Sequence, residues 1–215
     1  MRPLARVSPD RPATTRLPGP RRRRQLLDVA VPVFAERGFH GTSMEDVAEA
    51  AGVTKPVLYQ HFSSKRQLYQ ELLDDVGSRL VDEVTGALGG AAGPRAQVEA
   101  GFSAYFSFVA LQSHAFHLLF GSGARRDEEF ADTVRRVEDR MAAAIADLIE
   151  ADLEPDHRRM VGYGIVGLAE VTSRQWMASR DADDTAPEVN PEEAARLAAR
   201  IADLAWGGLR GVRPI

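Results

Sequence analysis

The sequence predicts an all-α protein in two parts: an N-terminal three-helix head that contains a helix-turn-helix, and a larger helical body. Apolar residues recur at helical spacing along residues 21–209, and no segment alternates in the way that a half-buried strand does. Two short helical segments separated by a glycine lie near the N-terminus. We therefore assign residues 21–67 to the head, residues 68–215 to the body, and the proline-rich basic stretch 1–20 to a disordered tail.

Charge is distributed unevenly along the chain. Residues 1–70 hold twelve lysines and arginines against six acidic residues, whereas residues 71–215 hold fifteen against twenty-five. The net charge of −4 for the whole chain conceals this difference. The asymmetry indicates a basic module that meets a polyanion, joined to an acidic module that does not.

Composition excludes several classes of protein. The chain has no cysteine, so disulfides, thiol catalysis and cysteine-ligated metals are ruled out. No apolar run is long enough to cross a bilayer, and we expect a cytoplasmic protein with no membrane contact and no secretion signal. His114 and His117 have helical spacing for a metal pair, but no acidic ligand accompanies them locally. We expect neither a metal nor another cofactor.

The first helix of the head carries an apolar stripe that continues across Pro32 and stops at Gly38. Residues 42–45 then have the pattern of a capping box, in which the Thr42 hydroxyl accepts from the backbone and Glu45 reaches back. Gly52 ends the short helix that follows.

A second short helix begins after this glycine. Thr54 is its predicted cap, Pro56 lies in its first turn, and the helix extends to about Phe62. Residues 64–67 form another capping box, which opens a long helix. The two short helices and the turn between them have helix-turn-helix spacing.

The second of these helices is a candidate for nucleic-acid recognition because it is short and polar on one side. It exposes Lys55, Tyr59, Gln60 and His61, and a helix of this kind fits the major groove with its first residues nearest the base edges. Lys65 and the four arginines of residues 21–24 flank it and can reach phosphates.

The string FAERGFHGTSMEDVAEAAGVTKPVLYQHFSSKRQLYQELL runs through these helices without a gap. It closely resembles the TetR family of helix-turn-helix transcriptional regulators, and the resemblance covers roughly residues 22–73. It implies a repressor, not an enzyme, that binds a palindromic operator in double-stranded DNA as a homodimer and is released by a small ligand. The rest of the chain is similar to the family only in its all-helical layout.

The resemblance also implies roles for single residues. Phosphate contacts are expected from Thr42 at a helix N-terminus and from Tyr59, His61 and Lys65. The segment 54–57 is expected to face bases, and its Pro56 and Val57 replace the small residues that the family more commonly has; apolar contact with thymine methyl groups suits both. The full candidate set is Thr42, Ser43, Thr54, Lys55, Pro56, Val57, Tyr59, Gln60, His61 and Lys65.

The body is rich in aromatic residues, with six between residues 96 and 120. Such residues usually form core, but their density also suits the walls of a pocket, and the resemblance implies an inducer cavity in this layer. An apolar ligand is expected to contact Phe102, Tyr105, Phe106, Val109, Met141, Ile145, Tyr163 and Trp176. Glu170 and Arg174 lie one turn apart, which fits a surface pair better than a polar anchor for that ligand.

Residues 156–180 and 192–209 predict two helices that are similar to the family's dimer interface. Gly162, Gly164 and Gly167 would let a partner helix approach closely. The later helix has a face of small and aliphatic residues, namely Ala194, Leu197, Ala198, Ile201, Leu204, Ala205 and Gly208. Packing within one chain is the alternative explanation for both features.

Three other functions stay open at this stage. The first is a DNA-binding regulator that no small molecule controls, or one whose ligand promotes binding. The second is a small helical enzyme, disfavoured because no nucleotide-binding loop or catalytic triad spacing is evident. The third is a nonspecific DNA-coating protein, whose binding would collapse as salt rises.

Overall fold

The computed structural model describes residues 19–121, 124, 127–181 and 190–213 of the protein. All regular structure in these ranges is helical, which confirms the predicted all-α class. The helices are α1 (Gly19–Gly41), α2 (Met44–Ala50), α3 (Lys55–Tyr59), α4 (Lys65–Gly90), α5 (Pro94–Leu111), α6 (Ser113–Phe120), α7 (Glu128–Asp147), α8 (Pro155–Asp181) and α9 (Pro191–Leu209). The predicted tail falls outside the described residues, except that Gly19 and Pro20 belong to α1.

The head is formed by α1, α2, α3 and the start of α4. Helix α1 continues across Pro32, as predicted, because its apolar stripe packs on both sides of that residue. At Gly38 the backbone turns to a φ of +67°, so α1 bends sharply before Gly41. Gly52 has a φ of +62° in the turn between α2 and α3, a conformation that side chains with a Cβ avoid. Both glycines are therefore required by the path of the chain.

The start of α2 corrects the predicted capping box by one residue. Ser43, and not Thr42, is the N-cap: its hydroxyl accepts from the amide of Asp46, while the Asp46 carboxylate accepts from the amide of Ser43 at 2.7 Å. The predicted partner Glu45 points to solvent. The sequence alone does not separate the two, because Thr42 and Ser43 are each followed by an acidic residue three positions later.

Two other helix boundaries differ from the prediction. Helix α3 ends at Tyr59, so His61 and the buried Phe62 lie in the turn that follows, and Thr54 makes no side-chain cap bond. The aromatic stretch 96–120 is divided at Gln112 between α5 and α6, a break that no glycine or proline announces. The boundary proposed between residues 67 and 68 falls inside α4, so this helix is shared by the head and the body.

In the body, α4 packs against α5 and α7, α5 packs against α9, and α7 packs against α8. Helix α6 lies against α1 and connects the body to the head. Along α4 and α7, Arg66 pairs with Asp127 at 2.9 Å and Arg136 pairs with Asp74 at 3.2 Å. None of the helices in the described ranges is both long and apolar enough to cross a membrane.

The glycines of α8 do not share one role. A Cβ added at Gly162 would lie 2.3 Å from the carbonyl oxygen of Ala142, so this glycine allows α7 and α8 of the same chain to approach closely. Gly164 and Gly167 have no such neighbour. The prediction that Gly162 faces a partner helix is therefore wrong, because the close contact is within the chain.

We predict that Gly162→Ala destabilises the fold by about 1–3 kcal/mol, because the methyl group must displace backbone rather than a flexible side chain. The matched control is Gly86→Ala in α4, where a Cβ meets nothing within 4 Å and removal of glycine should stabilise the helix by up to about 1 kcal/mol. Urea unfolding of both variants measures the difference. Equal stability of the two variants would contradict the close contact between α7 and α8.

Candidate nucleic-acid interface and apolar cavity

The predicted recognition helix, α3, is partly exposed. Thr54, Lys55 and Pro56 are exposed at the start of α3, and Val57 is half-buried. Leu58 is fully buried and anchors the helix to the core of the head. The first turn of α3 is therefore free to meet another molecule, and Lys55 has only a loose ion pair, 3.6 Å from Nζ to the exposed Glu45.

The residues at the end of α3 and just after it differ in their exposure to solvent. Tyr59 is 44% exposed, which is unusual for a large aromatic side chain, and Gln60 is also exposed. His61 is half-buried beside Phe62, with their ring centroids 6.4 Å apart. Tyr59 and Gln60 thus continue the exposed surface of α3, whereas His61 lies at its margin.

The side chain of Thr42 lies inside the head, and its phosphate contact stays a prediction. It is 2% exposed, and its hydroxyl donates to the carbonyl of Gly38 at 2.8 Å. The amide of Ser43 is occupied by the Asp46 carboxylate, whose pKa is lowered by hydrogen bonds from Ser43 and by the nearby Arg37. At the N-terminus of α2, the amides of Ser43 and Asp46 are therefore each paired with the other residue's side chain at the surface of the head.

Lys65 also has a structural role that the sequence did not reveal. Its ammonium donates to the carbonyls of Phe39 at 2.7 Å and Thr42 at 2.8 Å, and it lies 4.5 Å from the centre of the Phe39 ring. These carbonyls follow the bend at Gly38. Lys65 therefore fastens the start of α4 to the link between α1 and α2.

The arginines at the start of α1 differ in whether they are paired with α4. Arg23 pairs with Glu71 and stacks over the Phe62 ring at 4.7 Å, and Arg24 pairs with Asp75. Both side chains attach α1 to α4, and contact of this run with phosphates stays a prediction. Arg21 is exposed, and Arg22 donates to Gln25 at 2.7 Å.

An apolar cavity of about 240 Å³ lies at the end of the body distant from α3. It is enclosed by the C-terminal parts of α4, α7 and α9, the first half of α5, and α8. Four predicted ligand residues line it: Phe102, Tyr105, Met141 and Ile145. Its other walls are mainly aliphatic and include residues that the sequence did not single out, among them Val84, Leu88, Val161, Ile165 and Trp206.

The other four predicted ligand residues lie outside this lining. Phe106 and Val109 are fully buried, and the Phe106 ring packs 6.2 Å from that of Trp176. The Trp176 indole donates to Glu193 of α9 at 3.0 Å, and the Tyr163 hydroxyl donates to Asp139 of α7. These four side chains hold the helices of the body together. Helical spacing in the sequence cannot distinguish such packing residues from residues that line a pocket.

A polar cluster lies beside the cavity, at Tyr105. The Tyr105 hydroxyl is buried and has no hydrogen-bond partner among the described residues. Burial raises the pKa of this phenol. Ser173 and Glu170 are its polar neighbours. Glu170 is only 6% exposed and lies 3.4 Å from Arg174, so the expectation of a surface pair is wrong for the carboxylate.

An exposed apolar face runs along α8 and α9. Met160 and Val171 of α8 and Leu204 of α9 are 66%, 55% and 63% exposed. The alanines of α9 behave differently: Ala194, Ala198 and Ala205 are buried in the chain, where α9 packs on α5. The alanines of the predicted face are therefore used within the chain, Leu197 and Ile201 are half-buried against the core, and Leu204 and Gly208 are exposed.

Two family models match the chain. The model described as bacterial regulatory proteins of the tetR family matches residues 26–72, which span most of the head, including α2 and α3, and the start of α4. The model described as a tetracyclin repressor-like C-terminal domain matches residues 94–208, or most of the body. The first match ends inside α4, at residue 72, and the second begins at Pro94, the first residue of α5.

Similar proteins agree with these matches. The HTH-type transcriptional activator FasR of Mycolicibacterium smegmatis is 34% identical over 199 residues, which cover 92% of this chain and 87% of FasR. A TetR-like transcriptional regulator from Rhodococcus sp. RHA1 is 29% identical with a TM-score of 0.71, covering 92% of this chain and all of that one. FadR from Bacillus subtilis, in complex with stearoyl-CoA, shares the fold at 18% identity and a TM-score of 0.70, over 86% of this chain and 98% of FadR.

We predict that Lys65→Met destabilises the protein by about 1–3 kcal/mol, because two carbonyls near the surface of the head lose a charged donor. Lys55→Met is the matched control, since Lys55 is exposed and loosely paired, and its change should stay within about 0.5 kcal/mol. Urea unfolding followed by circular dichroism compares the two. A Lys65→Met variant as stable as Lys55→Met would show that these two bonds do not hold the head.

Proposed function

The chain belongs to the TetR family of bacterial regulatory proteins, and from this premise we propose that it is a ligand-controlled repressor that binds a palindromic operator as a homodimer. It is a transcriptional regulator, and the alternative of a small helical enzyme is set aside. The observation that carries the proposal is α3, whose first turn is exposed while Leu58 anchors the helix in the head.

In this proposal the first turn of α3 enters the major groove. Thr54 and Lys55 supply hydrogen-bonding groups for base edges, and Pro56 and Val57 supply apolar contact for thymine methyl groups. Tyr59 and Gln60 lie at the other end of α3 and contact phosphates. Thr42 and Lys65, which are engaged inside the head, contribute by holding α2 and α3 in place, and Arg21 is the arginine of its run that is placed to meet the backbone.

We propose that the second copy packs on the exposed face of α8 and α9. Dimerisation there would bury the exposed apolar side chains of Met160, Val171 and Leu204. A partner helix could approach closely at Gly164 and Gly167. A dimer would place two copies of α3 about 34–36 Å apart, which is one turn of DNA, so that both enter the same side of the duplex.

The proposed effector is an elongated apolar molecule held in the aliphatic cavity. The walls of the cavity offer few polar groups, and FadR, which shares the fold, was crystallised with stearoyl-CoA. A fatty-acyl compound is the class that this lining suits. Helix α4 carries Lys65 in the head and Val84 at the cavity, about 28 Å apart along one helix, so a shift of α4 can move the head.

A second candidate is activation of transcription. FasR, which is similar over 92% of this chain, is named a transcriptional activator. The DNA-binding surface serves either outcome, since a bound dimer blocks or assists the polymerase according to where its operator lies. Transcription in vitro from the protein's own upstream region, with and without the protein, separates the two.

The experiment that tests the proposal is titration of a duplex from the DNA upstream of the protein's own coding region, against a random duplex of equal length. We expect preferential binding of the upstream duplex at physiological salt, with two chains per duplex. Equal binding to both, lost steeply as salt rises, would indicate nonspecific coating of DNA instead.

Substitutions in and after α3 should separate contact with bases from contact with phosphates. We predict that Tyr59→Phe weakens binding to all duplexes by a similar factor, because a phosphate contact carries no sequence information. Lys55→Met should instead change which duplex is preferred. A selection from random operators measures both variants, and a changed preference in Tyr59→Phe would refute this division of contacts.

We predict that palmitoyl-CoA lowers operator affinity and that Ile145→Trp, which fills the apolar cavity, removes this response. Leu111→Trp is the control, because Leu111 is exposed at the end of α5 and is not part of the cavity lining. Operator binding at increasing palmitoyl-CoA gives the result. A response that persists in Ile145→Trp would place the effector elsewhere, and a response of opposite sign would make the ligand a corepressor.

A further inference from the structure

The apolar cavity of the body has an open end and a closed end. Its rim includes residues that are exposed to solvent, namely Pro94, Glu150, Ala151 and Arg210. Tyr105 also lines the cavity but is only 3% exposed. It follows Pro94 by about three turns of α5, which is roughly 16 Å along the helix axis. A ligand that enters at the rim therefore reaches Tyr105 last.

The surroundings of the Tyr105 hydroxyl also place it at the closed end. Four polar residues of α7 and α8 lie near it, namely Glu138, Glu170, Ser173 and Arg174. The cavity lining begins at Met141 on α7 and ends at Ala169 on α8, so all four residues lie just past the lining. The hydroxyl therefore marks the boundary between the aliphatic cavity and the polar cluster beside it.

This hydroxyl is a hydrogen-bond donor that the described part of the chain leaves unused. Ser173 lies beside it, but the two hydroxyls do not meet in hydrogen-bonding geometry, and Ser173 donates to the carbonyl of Glu170 at 3.0 Å. Burial raises the pKa of the Tyr105 phenol, so the phenol keeps its proton at neutral pH. A buried donor without an acceptor is costly, and an acceptor on a bound molecule removes that cost.

The charges near Tyr105 favour an acceptor that is neutral. Two carboxylates, those of Glu138 and Glu170, lie near the hydroxyl, against the single guanidinium of Arg174, which is 3.4 Å from Glu170. A negatively charged acceptor would be repelled by the carboxylates, whereas the oxygen of a ketone accepts a hydrogen bond without adding a charge. The anionic end of a ligand can stay hydrated at the exposed rim.

We propose that the effector of the apolar cavity carries a ketone at the far end of its acyl chain, and that the Tyr105 hydroxyl donates to this ketone. The inference rests on the proposed effector site, because it assigns the chemistry of the closed end of the same cavity. The acyl chain fills the aliphatic part, and the acid or thioester lies at the rim. Tyr105 is then a specificity-determining residue that distinguishes an oxidised chain from a plain one.

The test is calorimetric titration of the full-length protein, without DNA, with two matched series of CoA thioesters. One series is decanoyl-, lauroyl- and myristoyl-CoA, and the other has the same chains with a ketone next to the terminal methyl group. We expect at least one keto thioester to bind as tightly as its plain counterpart or more tightly. Tyr105→Phe should shift this ratio of affinities against the ketone at least about tenfold, because the ketone is then buried without a donor. An unchanged ratio would overturn the proposal.

Tyr163→Phe is the matched control. It removes a hydroxyl that donates to Asp139 and that belongs to no residue of the cavity lining. The ratio of keto to plain affinity should stay the same in this variant. A shift as large as that of Tyr105→Phe would show that loss of any tyrosine hydroxyl in the body has this effect, which would overturn the proposal.

The position of the ketone decides the matter in the unaltered protein if Tyr105→Phe does not fold. A ketone in the middle of the chain would lie against aliphatic side chains such as Leu88 and Ile165, where no donor meets it. We expect this isomer to bind roughly tenfold more weakly than the isomer with the ketone near the terminal methyl group, because its oxygen is buried unpaired. Equal binding of the two isomers would contradict the role of Tyr105.

Ile145→Trp separates this inference from the proposed effector site. It fills the cavity and should weaken plain and keto thioesters alike. If it does so while the unaltered protein shows no dependence on the ketone, the effector site stands and the inference about Tyr105 is wrong. If Ile145→Trp changes neither affinity, the thioesters bind elsewhere and both fail. Since no DNA is present, a failure of operator recognition leaves these results unaffected.

Discussion

The bend at Gly38 and the ammonium of Lys65 determine how the head is built. The positive φ of Gly38 turns the chain out of α1, and the carbonyls that follow are left without helical partners. Lys65 donates to two of them from the first turn of α4, while the Thr42 hydroxyl takes a third. Helices α2 and α3 lie in the chain between the bend at Gly38 and Lys65. The orientation of the recognition helix therefore depends on Lys65, whether or not this lysine touches DNA.

The same junction links the head to the body. The Phe39 ring, which lies under the Lys65 ammonium, also packs 5.0 Å from Phe130 of α7. Arg66 stacks over Phe130 at 5.0 Å and pairs with Asp127. Lys65 and Arg66, which are adjacent in α4, therefore contact the head and the body, respectively. The head and the body therefore share a packed aromatic cluster rather than a flexible linker. Movement of α4 against α7 has to disturb this cluster.

The sequence predicted what depends on near neighbours in the chain. Helical periodicity, the stop at Gly38 and the turn at Gly52 follow from local spacing, and all three are found. Features that depend on distant residues were missed: Arg23 and Arg24 find carboxylates about fifty residues away on α4, and Gly162 meets a carbonyl of α7. The apolar cavity was predicted only in part, because lining a cavity and packing in a core require the same residue types at the same spacing.

These internal pairings bear on how the head can recognise DNA. Counted from the sequence, the first seventy residues carry an excess of six positive charges. In the described part of the head, however, Arg23 and Arg24 are paired with carboxylates that lie beyond residue 70, and Lys65 donates to two carbonyls. Fewer cations are left for phosphates than the count implies, so the affinity that is independent of sequence should be modest. In the proposed homodimer, tight binding then depends on base contacts by α3 and on two heads acting together, which is the arrangement in which a small change in head spacing has the largest effect on affinity.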